Sequence, residues 1–240
     1  MELSEEKLLV LMRARTVPAR QDDAQSVLRM PDQDAEVPLR TPEQDRDALL
    51  REGFLSMGWP AYDSQCICRT PEGKPYVKVQ GNADLRTGGG KGPAQAASYA
   101  FNYSDAKTYC AAAFSTVPVG IDIEETRHLG VHLLRRLPFE EQKYLFDARD
   151  DAERNLRFLR IWTAKEAFGK MAGTGLTQEI LETDFASISD AVLLQSVPAG
   201  PAGTSEVRIR PVPMVICGTP CLFGQACMQT VVISVVAFHG

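Results

Sequence analysis

Gly120-Ile121-Asp122-Ile123-Glu124 alternates apolar and acidic side chains, and Trp162-Thr163-Ala164-Lys165-Glu166-Ala167-Phe168-Gly169-Lys170 follows a helical rhythm. Successive side chains of a strand point to opposite faces, so Ile121 and Ile123 share one face and Asp122 and Glu124 the other, with Cα atoms ~7 Å apart. That spacing lets two carboxylates address one hard cation, and Mg²⁺ favours one or two protein carboxylates plus water and phosphate oxygens. On the helix, Glu166 and Lys170 lie four apart and share a face with Trp162 one turn back. Glu166 would complete the cation's shell or act as a base, and Lys170 would neutralise phosphate. A solvated strand face and an ordinary surface ion pair would give the same residue types. Gly120, at the end of an apolar strand, allows the backbone to approach something closely, which favours a site. At this level nucleases and phosphatases stay open.

The remaining chain frames this pair. With 240 residues it has room for one large domain or two modest ones. A net charge of −5 argues against general nucleic-acid binding, which needs a basic footprint. Any anionic ligand must therefore meet local lysines and arginines. The apolar run Leu8-Leu9-Val10-Leu11-Met12 is too short for a signal peptide, and no segment approaches the ~20 apolar residues of a membrane span. A cytoplasmic protein without membrane contact is expected. The cysteines, Cys66, Cys68, Cys110, Cys217, Cys221 and Cys227, form no C-x-x-C pair, and His128 and His132 lie outside any H-E-x-x-H pattern. Structural cysteines and surface histidines are the expectation.

Along the chain, residues 13–45 are polar and broken by prolines, hence loop-rich. Ala48, Leu49, Phe54 and Leu55 predict an amphipathic helix over 43–57, ended by Gly58-Trp59-Pro60. Residues 81–96 read as a glycine-rich loop. Strands are predicted at 98–103, 108–114 and 117–123. The stretch 131–171 is helical, broken at Pro138 and stopped by Gly173-Thr174-Gly175. Beyond it, strands and turns are expected to the end, including an alternating Val207–Arg210 and a buried run at 230–236. Strands, then helices, then strands indicate an α+β fold.

The two long segments together resemble the signature of the 4′-phosphopantetheinyl transferases of the surfactin-synthetase-activating type, which carry G-I-D-I-E and W-[ST]-x-K-E-[AS]-x-x-K at a similar separation. Gly173-Thr174-Gly175-Leu176 is similar to their G-x-G-L, Phe101-Asn102-Tyr103-Ser104-Asp105 to F-N-[IL]-S-H, and Gly73-Lys74-Pro75-Tyr76 to G-K-P. The likeness is strong over 101–176, weak over 43–80 and absent before 40.

The resemblance implies two similar α+β half-domains, 1–118 and 119–240, related by a pseudo-twofold axis with the active site in the cleft between them, and a monomer. It implies transfer of the phosphopantetheine arm of coenzyme A to a serine of an apo acyl or peptidyl carrier protein, releasing adenosine 3′,5′-bisphosphate. Asp122, Glu124 and Glu166 would ligate Mg²⁺, with Mn²⁺ able to substitute. Glu166 would also take the serine proton, and Lys170 would sit on the leaving phosphate. Lys74, Ser104, Asp105, Lys165, Arg46 and Lys91 would bind coenzyme A, with Lys165 either helping there or packing at the cleft edge. Lys91 is not a P-loop lysine, because Gly92 follows it and Leu85 occupies the first glycine position. Trp162 and Phe168 are expected in the core.

Asp105 departs from the pattern. The family has histidine there, facing the 3′-phosphate of coenzyme A, and an aspartate beside a phosphate repels it unless a cation intervenes. Lys107 or Lys91 is the expected compensation. The competing readings are a Mg²⁺-dependent phosphodiesterase and a carrier-protein-binding homologue that has lost nucleotide binding.

Overall fold

The computed structural model describes residues 8–15, 40–64, 67–69, 75–77, 99–126, 134, 137–198 and 203–239. The apolar run near the N-terminus becomes strand β1 (Leu8–Ala14), central in a four-stranded sheet. Its neighbours are β5 (Tyr109–Ser115) on one side and β8 (Thr204–Glu206) on the other, both antiparallel, and β4 (Ala100–Asp105) lies beyond β5. Helix α1 (Pro42–Met57) covers one face of this sheet. It begins at a capping box, where Thr41 and Gln44 satisfy each other's backbone N–H, with Pro42 in the first turn. Leu49, Leu50, Phe54 and Met57 of α1 pack on Leu11, Phe101, Ala112 and Phe114. A short hairpin, β2 (Ile67–Arg69) with β3 (Pro75–Val77), stands beside them as a separate pair.

The second sheet runs β6 (Val119–Glu125), β11 (Val231–Phe238), β10 (Thr219–Met228), β7 (Leu194–Ser196), with β9 (Val212–Ile216) also paired to β10. Helices α2 (Phe139–Phe146) and α3 (Asp151–Ala172) follow β6 in the chain. Asp150 caps the start of α3, and Gly173 closes it at φ 77°, a left-handed conformation that glycine adopts without steric cost. Phe158, Leu159, Ile161, Ala164, Ala167 and Phe168 of α3 bury against Phe223, Val232 and Val236 of the second sheet.

Alternation within the strands sets the layers. On β6, Val119, Ile121 and Ile123 join Val10, Met12, Ala111 and Ala113 of the first sheet in a core between the two sheets. The intervening Gly120, Asp122 and Glu124 are thereby turned toward α3. The order is α1, first sheet, second sheet, α3, a mixed α+β architecture as the sequence leads one to expect. β4 and β6 meet where the two sheets adjoin, and Asn102 Oδ1 accepts the Ile121 N–H at 3.3 Å across that junction.

Several boundaries differ from the sequence reading. Val207–Arg210 is not a strand; the pairing segment is Thr204–Glu206, after which only the Val207 N–H continues the ladder, to Val10 O at 2.9 Å. Past Gly175 the chain forms two short helices, α4 (Gln178–Glu182) and α5 (Phe185–Asp190), started by the side chains of Thr177 and Asp184. The glycine loop at 81–96, His128 and His132 lie outside the described residues, as does most of 13–45. Among the described residues no helix is long and apolar enough to cross a membrane, and Cys68, Cys110, Cys217, Cys221 and Cys227 are free thiols.

Candidate active site

Three elements bring the acidic strand and the lysine helix together. β6 passes so close under α3 that a Cβ on Gly120 would lie 2.1 Å from Ala167 O and 2.4 Å from Met171 N. Both atoms are backbone and cannot swing aside. Gly120→Ala is therefore expected to cost about 1–3 kcal/mol by forcing helix and strand apart. Chemical denaturation of the variant checks this, and an unchanged midpoint would mean that the approach is not held tightly.

The contact delivers Lys170 to Asp122. The Lys170 ammonium donates to Asp122 Oδ1 at 2.7 Å, to Ser104 Oγ at 3.0 Å and to Ile121 O at 3.3 Å. Ser104, from β4, donates to the same Asp122 Oδ1 at 2.7 Å. Asp122 is 5% exposed, and its second oxygen, Oδ2, is buried without a hydrogen-bond partner among the described residues. Glu166 lies one turn before Lys170, on the same half-buried stripe of α3 as Trp162. Burial, then the charge of Asp122, pushes the Glu166 carboxyl above the usual carboxylate range; Lys170 opposes this, and Glu124 adds to it. Asp122, Lys170 and Glu124 thus each act electrostatically on Glu166. Among the described residues no three His, Cys, Asp or Glu side chains converge on one point. At Asp122 Oδ1 it is Lys170 that meets the carboxylate.

Lys165, expected at coenzyme A, faces the other way. Its side chain is fully buried, with the ammonium 2.9 Å from Glu141 Oε1. It also donates to the carbonyls of Ile180, Leu181 and Thr183 at 3.0, 2.9 and 2.7 Å. Every ammonium proton is committed, so Lys165 has none to offer a ligand. Burial pushes Glu141 up and Lys165 down from their ordinary values, and each counters the other. The neighbouring motif residues are structural too. Thr163 Oγ1 shares a hydrogen bond with Ser234 Oγ at 2.7 Å, and Gln225 joins both Ser234 and the Arg160 carbonyl. Phe168 is buried edge-on to Phe185, as expected of a core residue, whereas Trp162 is half-buried and stacks on Phe158 at the edge of the core.

Asp105, next along β4 from Ser104, is compensated by Arg15, which the sequence reading did not name, and by Arg46, which it placed at coenzyme A and not at Asp105. Arg15 Nη2 lies 2.5 Å from its Oδ1, and Arg46 Nη1 lies 3.7 Å from its Oδ2. Arg46 also sits over the Tyr103 ring at 5.1 Å, and Arg69 donates to the Tyr103 hydroxyl. Arg46 is thus brought beside Ser104-Asp105, whereas Lys107 is exposed on the turn and forms no ion pair with Asp105 among the described contacts. Lys74 and Lys91 lie outside the described residues.

Residues 118–199 match the family described as the 4′-phosphopantetheinyl transferase superfamily. The chain is 35% identical over 78 residues to 4′-phosphopantetheinyl transferase Sfp of Bacillus subtilis, covering 32% of this chain and 34% of that protein. It is 35% identical over 84 residues to 4′-phosphopantetheinyl transferase psf-1 of Bacillus pumilus, covering 35% and 36%. The matches span about a third of the length of these curated relatives. The matched segment is the one that carries Asp122, Glu124, Glu166 and Lys170.

Proposed function

We propose that this chain transfers the 4′-phosphopantetheine arm of coenzyme A to a serine hydroxyl of an apo acyl or peptidyl carrier protein. The observation that carries the reading is the Asp122–Lys170 junction of β6 and α3, with Glu166 beside it, inside the segment that matches the superfamily. The residues fit a hard cation: Asp122 Oδ2 is a buried carboxylate oxygen that no described residue meets, and such an atom is costly unless a ligand meets it. Asp122, Glu124 and Glu166 would hold Mg²⁺, which when bound neutralises pyrophosphate charge. Mn²⁺ is expected to substitute.

Glu166, with its raised affinity for a proton, accepts the proton of the carrier serine. The serine Oγ–P bond forms and the P–O bond to adenosine 3′,5′-bisphosphate breaks. Lys170 moves from Asp122 to the departing phosphate and stabilises its charge. Two half-domains, 1–118 and 119–240, each a sheet with an outer helix, would flank the site where β4 meets β6. β8 crosses from the second half to complete the first sheet.

Incubation with coenzyme A, Mg²⁺ and an apo carrier domain, read by mass, tests this. A carrier gain of one phosphopantetheine is expected. Coenzyme A cleavage without carrier gain would instead identify a phosphodiesterase, and neither event would identify a non-catalytic binder.

Asp105 sets a second expectation. Under this reading the 3′-phosphate of coenzyme A would approach Arg15 and Arg46, whose charge Asp105 already engages. Asp105→Ala frees both guanidiniums for bidentate phosphate binding. Affinity for coenzyme A should rise about tenfold, with little change for dephospho-coenzyme A, on the scale of one charge-assisted hydrogen bond. Calorimetric titration of both ligands decides it. Equal gains would put the 3′-phosphate elsewhere.

A further inference from the structure

We propose that the Ser104 hydroxyl makes it a positioning residue for Asp122 and Lys170. The inference rests on the proposed cation reading of Asp122 and deepens it. Hydrogen-bond chemistry orients the three groups without ambiguity. An ammonium has only donors, so Ser104 Oγ accepts from Lys170 at 3.0 Å. The hydroxyl has one proton, and Asp122 Oδ1, at 2.7 Å, receives it. Ser104 is 8% exposed, and its proton and one lone pair are spent inside the protein.

The arrangement fixes which oxygen of Asp122 does what. Oδ1 takes two hydrogen bonds, from Ser104 and Lys170, and Oδ2 is left buried and unmatched. Two donors on one oxygen hold the carboxylate plane against rotation, so the unmatched oxygen keeps its direction. β4 itself is pinned to β6 by Asn102, whose Oδ1 accepts the Ile121 N–H. Asn102 and Ser104 are two apart on the strand and therefore share the face toward β6. The hydroxyl also gives Lys170 an acceptor besides Asp122. Without it the ammonium would keep only Asp122 and the Ile121 carbonyl among the described acceptors and would compete more with a cation at Asp122.

Outer partners of ligating carboxylates typically set metal affinity by 10–100-fold. Ser104→Ala is therefore expected to weaken Mn²⁺ binding about tenfold, read from the free-Mn²⁺ electron paramagnetic signal on the full chain without coenzyme A. Ser104→Thr, which keeps the hydroxyl, should restore it. In steady-state transfer, Ser104→Ala should lower kcat with KM for coenzyme A unchanged, and circular dichroism should report a folded protein. Undiminished Mn²⁺ affinity in Ser104→Ala, or an effect confined to KM for coenzyme A, would overturn the proposal. So would an equal loss in folded Ser104→Thr. Asp122→Ala separates the two levels of argument. If it binds Mn²⁺ as the parent does, the cation reading itself fails; if it loses Mn²⁺ while Ser104→Ala does not, only the role of Ser104 fails.

Discussion

Asp122→Ala should lower phosphopantetheine transfer by about a thousandfold or more while the protein stays folded. The variant removes a buried carboxylate oxygen that no described residue meets, and with it the anchor of Lys170. Charge stabilisation on a phosphoryl group by a bound cation is worth several kcal/mol, and each 1.36 kcal/mol is tenfold in rate. Stability should change far less. Breaking an ion pair costs most when the charge left behind stays buried. Lys170, 28% exposed, can recover water when its partner goes. Mass analysis of the carrier and a thermal melt of the enzyme check the two halves of this expectation. A near-parental rate would remove Asp122 from the chemistry.

Lys165→Met should do the reverse, destabilising the fold by about 3–5 kcal/mol. It strands Glu141, whose side chain is fully buried, with only the Phe185 N–H left as a partner at 2.8 Å. It also strips the carbonyls of Ile180, Leu181 and Thr183 of their donor. Adding Glu141→Leu should recover much of the loss, because a buried pair replaced by apolar groups costs far less than a broken one. Urea unfolding of the single and double variants gives the comparison. A stable Lys165→Met enzyme with a raised KM for coenzyme A would return Lys165 to the ligand and undo the structural assignment.

Lys165 also marks where sequence reading stops. It adjoins Glu166 in the motif, and adjacency suggests a common site. One residue of helix is a 100° turn, which carries Lys165 to the core side while Glu166 and Lys170 stay on the half-buried stripe. Burying an ammonium requires a carboxylate, and that carboxylate arrives from α2, distant in sequence. Arg15 and Arg46, the partners of Asp105, are hidden in the same way, because only the packing of β1 and α1 beside β4 brings them there. The local periodicities were readable: two for β6, which set Asp122 and Glu124 against Ile121 and Ile123, and 3.6 for α3. So was Gly120, whose close neighbour proves to be the α3 backbone. α4 and α5 are too short for periodicity to register, although Thr177 and Asp184 carried their start signals. Val207–Arg210 alternates in composition, yet the pairing on β1 falls on the residues before it.

That pairing bears on how the molecule comes into being. β1 is made before the lysine helix, and the strand that closes its free edge, β8, after it. A ribosome releasing the chain in order exposes Leu8–Met12 with one flank open until residue 206 has emerged. An apolar strand with an open edge recruits other strands. The first sheet is thus finished only after the lysine helix has been synthesised, and cutting the gene at the 118/119 junction would yield an N-terminal product prone to self-association.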